Sequence, residues 1–291
     1  MNRVVNKKIV GIILAAIWLA QACAAEPIVP AQTSTPVMPT SSPTSSDRST
    51  PVPLPTLALP TIAFIPTQPP PPTEVPLVPN FEHIAIVMFE NKEFGTVIGN
   101  PQMPNFNKLA REYTLLTQFY AVTHPSLPNY IALISGDTQS IDRNCNDCFT
   151  PAPSLPYFID LSGRTWKTYQ EDMPSSCYLG DTNSYVQKHN PFIYFDYVRL
   201  VPEICERSVV TLTALQTDIH AGSLPNFMFI TPNLCNSAHD CSLDVTDAWM
   251  TNLLSQLVPA LDAKTSNYLL VLTWDEGQGS HSCCGLPEEA G

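Results

Sequence analysis

The run His83-Ile84-Ala85-Ile86-Val87-Met88-Phe89 is unbroken apolar sequence of strand length, and it stops at Glu90-Asn91. A strand wetted on one face alternates apolar with polar; an unbroken run marks a strand covered on both faces, as in a parallel sheet between helices. Residues 268–273 repeat the pattern and stop at Trp274-Asp275-Glu276-Gly277; residues 226–230 stop before Thr231-Pro232-Asn233. Residues 165–169 read as a further strand and 113–122 as a β-rich run. Helical patterns occupy residues 105–112, 155–161, 211–220 and 244–262, the last with Trp249, Leu253, Leu257 and Leu261 spaced by four. Residues 172–207 read as irregular and aromatic-rich, with Tyr178, Tyr185, Phe192, Tyr194, Phe195 and Tyr197. Strands alternating with helices predict an α/β fold with a mainly parallel sheet flanked by helices.

A second stretch, Thr123-His124-Pro125-Ser126-Leu127-Pro128-Asn129-Tyr130, turns from a polar loop into a helix. Pro128 suits a first helical turn. Leu127, Ile131 and Ile134 share one face, and Gly136 stands where a helix ends. Ser126 therefore sits at a helix N-terminus, where unpaired N–H groups and the dipole favour an anion. Two readings stand: a hydroxyl that caps the helix, or a nucleophile whose target phosphate rests on the same amides.

Composition narrows the partners. The 291 residues carry a formal net charge of −12 with only 14 Lys plus Arg. No basic face of the kind that binds nucleic acid is visible, so a nucleic-acid partner is not expected. An anionic substrate would need attraction from helix N-termini or from a bound cation. At the N-terminus, Arg3, Lys7 and Lys8 precede an apolar core too short for an ordinary span, so residues 1–24 read as a signal peptide. Leu19-Ala20-Gln21-Ala22-Cys23 resembles a lipoprotein box, which would lipidate Cys23 and tether the chain to a membrane; Ala22-Cys23-Ala24 alternatively fits ordinary cleavage. Residues 25–80, dominated by Pro, Thr and Ser, read as a disordered spacer before a domain at 81–291. The chain is expected to be exported, as a bacterial surface lipoprotein or a secreted protein. The nine cysteines fit an oxidising compartment, and Cys145/Cys148 and Cys235/Cys241 are close enough in sequence for local disulfides. The Cys145-x-x-Cys148 spacing lacks the second pair that a zinc site would require.

In parallel α/β sheets, ligands bind at the carboxyl ends of the strands. Glu90-Asn91, Thr231-Pro232-Asn233 and Asp275-Glu276 all stand there. Packed carboxylates repel one another and need a cation, and oxygen ligands suit a hard or borderline divalent ion.

These motifs, with Lys188-His189-Asn190-Pro191-Phe192 and His239-Asp240 between them, occur in an order that resembles the phosphoesterase family of acid phosphatases and phosphatidylcholine-preferring phospholipases C. That family belongs to the alkaline-phosphatase-like superfamily, and the resemblance covers nearly all of 81–291. It implies that Ser126 is the nucleophile and that Glu90, Asn91, Asp275 and Glu276, together with Ser126, ligate one divalent metal ion (Mg, Mn, Ca or Zn). It implies that His239 and His189 contact the phosphate or protonate the leaving group. It implies hydrolysis of small phosphate esters or phospholipids by a covalent route, first as an acid phosphatase, alternatively as a phospholipase C-type phosphodiesterase. By sequence position, His124 ranks below the other two histidines, His83 reads as structural, and Tyr130 and Trp274 read as packing. Relatives continue beyond the Asp275 motif with another strand and a helix. The chain ending at Gly291 is therefore expected to be C-terminally truncated, which keeps a non-catalytic, surface-tethered binding protein as a further reading.

Overall fold

The computed structural model describes residues 79–279. The signal, lipidation and spacer expectations, with Cys23, Cys283 and Cys284, lie outside the described residues. The strands are β1 (His83–Phe89), β2 (Trp166–Gln170), β3 (Val209–Thr211), β4 (Phe227–Thr231) and β5 (Tyr268–Trp274). They form one sheet in the order β3-β2-β4-β1-β5, with every pairing parallel. The helices are α1 (Phe94–Val97), α2 (Pro104–Glu112), α3 (Ser126–Ser135), α4 (Leu155–Leu161), α5 (Asp196–Arg199), α6 (Pro202–Ser208), α7 (Thr213–Ala221) and α8 (Leu243–Lys264). The expected α/β architecture is the one observed. Among the described residues, no helix is long and apolar enough to cross a membrane.

The unbroken apolar run of β1 has a direct cause. Ala85, Val87 and Phe89 point into one core, with Met250, Leu253, Leu257 and Leu261 of α8 and Phe106 of α2. Met88, with Ile84 and Ile86 beside it, points into a second core built on Leu127, Tyr130, Ile131 and Ile134 of α3. Successive side chains of a strand face opposite ways, so a sheet covered twice needs apolar residues at every position.

Three expectations are corrected. Residues 113–122 form no strand. Their backbone joins no ladder, and Leu115, Leu116 and Phe119 line a cavity of about 390 Å³ beside Trp274 instead. The helix expected over 211–220 begins only at Thr213, because Thr211 closes strand β3. Residues 172–207 contain α5, most of α6 and two 3-10 turns, Gln187–His189 and Pro191–Tyr194. Their aromatics Tyr185, Phe192, Tyr194 and Phe195 are buried in the second core.

The described cysteines pair as Cys145–Cys148, Cys177–Cys205 and Cys235–Cys241. The Cys145 and Cys148 sulfurs bond to each other, so they are unavailable as metal ligands.

Candidate active site

Register builds the site. Phe89 pairs with Trp274, and the Asp275 N–H donates to the Phe89 carbonyl at 3.0 Å. The next residues, Glu90 and Asp275, therefore leave adjacent strands side by side. Glu90 is fully buried, and Asp275 and Glu276 are nearly so. Asn91 follows with φ of 51°, a left-handed turn that brings its N–H onto Asp275 Oδ1 at 3.0 Å. The Asn91 side chain reaches Glu90 Oε2 at 3.5 Å.

Helix α3 presents Ser126 to this cluster. The helix ends at Gly136, whose φ of 80° is the left-handed stop its sequence predicts. Pro125 holds the N-cap position, so Ser126 is the first helical residue, and its hydroxyl bonds to carboxylates rather than to a helix N–H. Its hydroxyl, 1 % exposed as a residue, donates to Glu276 Oε1 at 3.1 Å and lies 3.5 Å from Glu90 Oε2. The backbone N–H of Leu127 is taken by Asn144 Oδ1 at 3.0 Å. The capping reading thus finds no bond to support it.

The histidines separate in role. His189, buried in a 3-10 turn, stacks on Tyr130 and places Nε2 3.2 Å from Glu90 Oε2 without the alignment of a hydrogen bond. Burial lowers its imidazole to about 3, with the Lys188 charge adding to the effect. The His239 ring lies 5.8 Å from the His189 ring, and its Nδ1 is 2.6 Å from Asp240 Oδ1. His124 Nδ1 contacts Glu276 Oε2 at 2.7 Å, closer to the cluster than its sequence ranking implied. His83 is structural as expected, bonded to the Pro225 carbonyl at 2.8 Å.

Other groups enter that the sequence reading passed over. Tyr130, expected only to pack, donates its hydroxyl in a short bond to Glu90 Oε1. Asn129 holds the loop before the helix through the N–H groups of Val122 and Thr123 and the carbonyl of Thr123, and reaches Glu276 Oε2 at 3.3 Å. Lys92 ties the strand-end loop down by donating to the carbonyls of Asn91 and Ala238 at 3.0 and 2.8 Å. Glu93 accepts the N–H groups of Gln278 and Gly279, both at 2.7 Å. The i, i+3 and i+4 spacing of Ser126, Asn129 and Tyr130 was a legible signal, since it sets all three on one side of a helix. Asn233, by contrast, turns away to Glu171 and Asp172. Trp274 packs on Phe89 and Phe106, as expected.

The electrostatics ask for a cation. Burial pushes the Glu90 carboxyl up to about 7, with the Tyr130 hydroxyl opposing, and burial beside Glu90 and Glu276 raises Asp275 well above its ordinary value. Asp275 Oδ2 is buried without a hydrogen-bond donor. A set of buried carboxylates with an unfilled oxygen fits a hard divalent cation, which would supply the charge that burial denies them.

Several known proteins are similar to this chain. The chain is 37% identical over 207 residues to a phosphate-repressible acid phosphatase of Penicillium chrysogenum, covering 68% of this chain and 48% of the relative. It is 36% identical over 208 residues to a phosphatidylinositol-3-phosphatase of Mycobacterium tuberculosis (70% and 66%), and 34% identical over 207 residues to an acid phosphatase of Aspergillus niger (67% and 48%). The chain thus spans about half the length of the two fungal relatives. The Phosphoesterase family matches residues 100–284, more than half of the sequence, a span that takes in Ser126, His189, His239, Asp275 and Glu276 but not Glu90 or Asn91, and the chain belongs to that family.

Proposed function

We propose that the domain hydrolyses phosphate esters through Ser126, with phosphomonoesters as its principal substrates. The observation that carries this reading is the Ser126 hydroxyl: buried at a helix N-terminus, free of any cap bond and aimed at Glu276 and Glu90. Glu90, Asn91, Ser126, Asp275 and Glu276 would hold one divalent metal ion. When bound, the ion lowers the pKa of the serine hydroxyl and screens the phosphate charge.

The chain's own groups account for the remaining steps. Ser126 gives its proton toward Glu276 and attacks phosphorus, forming an Oγ–P bond as the ester P–O bond breaks. The departing alcohol oxygen takes a proton from His239, which is partly solvent-exposed and held by Asp240. His189 is neutral at ordinary pH, so it serves as an N–H donor to a phosphate oxygen rather than as an acid. Water then cleaves the phosphoserine, releasing inorganic phosphate and restoring the hydroxyl. Acid quenching of enzyme with labelled phosphomonoester should trap label on the peptide that contains Ser126. Label elsewhere would overturn the assignment.

The apolar cavity of about 390 Å³ that borders Asp275 and Glu276 favours a second reading, a phospholipase C-type diesterase with a lipid-bearing substrate. Assaying a phosphomonoester beside phosphatidylcholine separates the two. We also infer export, supported by the three disulfides. Under that reading residues 1–24 form the signal, Cys23 carries the lipid and 25–80 the spacer. Mass spectrometry of the mature N-terminus tests it: an unmodified start at Ala24 or Ala25 would remove the anchor.

A further inference from the structure

A cavity of about 310 Å³ lies at the N-terminal end of α3, lined by Asn144, Cys145, Asn146, Asp181, Val186 and Lys188. Its place is set by Asn144, whose side-chain oxygen accepts the N–H of Leu127, the residue after Ser126. The Asn144 amide nitrogen has no acceptor among the described residues. Lys188, next to His189 on the 3-10 turn Gln187–His189, lines the same cavity.

Charge around the site is lopsided. Glu90, Asp275 and Glu276 are acidic, and a phosphomonoester brings up to two further negative charges. His124 is committed to Glu276 and His239 to Asp240. Lys92 spends its ammonium on two backbone carbonyls. Lys188 alone of these cations makes no hydrogen bond or ion pair with a described residue. Its charge nonetheless acts on both Glu90 and His189, so it stands within the field of the site. Asp181 shares the cavity, but its oxygens are occupied by the Gln187 N–H at 2.8 Å and the Asn146 side chain at 3.2 Å. The cavity lining thus combines a carboxylate held by two hydrogen bonds with an ammonium that bonds to no described residue.

We propose that Lys188, with the Asn144 amide, anchors the anionic phosphoryl oxygens of the substrate and makes the site select phosphomonoester dianions over diester monoanions. This rests on the phosphoesterase reading above. An ammonium donating to a phosphate oxygen is a charge-assisted bond, and its strength grows with the charge on the acceptor. The residue determines specificity without taking part in bond making or breaking.

The test uses the full chain supplied with a divalent metal, and compares Lys188→Gln and Lys188→Arg with wild type. Two readouts are taken: steady-state kinetics on a phosphomonoester and a diester of the same alcohol, and calorimetric binding of inorganic phosphate. Loss of the charge in Lys188→Gln should raise KM for the monoester about tenfold, with a smaller change in kcat and in the diester KM. Phosphate should bind about tenfold more weakly to it, and Lys188→Arg should recover most of both effects. The melting temperature should stay at the wild-type value, because the Lys188 ammonium bonds to no described residue. Wild-type turnover with unchanged monoester KM and phosphate affinity in Lys188→Gln overturns this inference alone. A wild-type protein that neither hydrolyses phosphate esters nor binds phosphate overturns the underlying reading, and this inference with it.

Discussion

Ser126 occupies the first turn of α3, yet its hydroxyl serves no cap, and that separates two outcomes for one substitution. A capping serine replaced by alanine would cost about 1 kcal/mol of stability and leave turnover alone. Here Ser126→Ala removes no cap bond, so the melting temperature should hold within a few degrees while turnover falls by several orders of magnitude. Near-native turnover in that variant would refute the nucleophile assignment. Tyr130 gives a complementary prediction. Its hydroxyl is the donor that opposes the rise of the Glu90 carboxyl, and both groups are fully buried. Tyr130→Phe should destabilise the metal-free protein by about 1–3 kcal/mol, because a buried acceptor loses its donor. It should also push the Glu90 carboxyl higher still, weakening metal affinity at neutral pH. Calorimetric titration of the divalent metal measures that change, and an unaltered affinity would show the Tyr130 bond to be incidental.

The Asp275-Glu276 turn is an element held from outside. Glu93, just before α1, accepts the N–H groups of Gln278 and Gly279. Its carboxylate lies so close to Gly277 that a Cβ there would meet Oε1 at 2.5 Å and Oε2 at 2.6 Å. A side chain at 277 could enter only by displacing the Glu93 carboxylate from the space it fills. Gly277→Ala should therefore displace Glu93 and loosen the turn that aims Asp275 and Glu276. The expected loss in turnover is about tenfold or more, as for other misplaced catalytic groups. Glu93→Ala should produce a comparable loss by removing the same anchor. Combined in one protein, the two changes should cost less than the sum of the singles, because both break one contact. Strict additivity in the kinetic double-mutant cycle would show that the turn is positioned by something else.

The charge of the whole site ties stability to pH, with a sign that can be worked out. Glu90 rises from 4.5 to about 7 and Asp275 rises well above 3.8, so the folded state holds protons that the unfolded chain has released. Their stabilisation is present at low pH and is lost as pH rises. His189, lowered from 6.5 to about 3, acts oppositely, since its stabilisation is lost as pH falls below 6.5. Between 4.5 and 6.5 the Glu90 carboxyl and the His189 imidazole act oppositely, and the raised Asp275 carboxyl tips the sum toward loss of stability as pH rises. The metal-free protein should then lose stability as pH rises across that window. Above 6.5 the carboxyls act unopposed. Scanning calorimetry of the dialysed protein should show the melting temperature falling from pH 5 to pH 8, and a divalent ion should abolish the fall. A melting temperature that rises with pH in the metal-free protein would contradict the charge assignment.

Much of this molecule was legible in one dimension, for identifiable reasons. A parallel strand covered on both faces must be apolar throughout, so β1, β4 and β5 announced themselves, and their polar ends marked the site. The Ser126 helix was legible from its period, its proline and its terminal glycine. What the chain alone left open are matters of direction and of charge in a buried place. Residues 113–122 look like strand because apolar β-formers line a cavity as readily as they line a sheet. Tyr130 reads as packing because a buried phenol shows its hydroxyl partner only once Glu90, forty residues earlier, is folded against it. Asn233 stands at a strand end like Asn91, but Glu171 takes its backbone N–H and Asp172 its side-chain amide, which turns it away from the site. The sequence by itself determined the fold class, the strand ends and the acid and hydroxyl groups gathered there, because these follow from local period and composition. The tertiary structure alone decided which of those groups meet, since the register of β1 on β5 and the approach of α3 depend on contacts far apart along the chain.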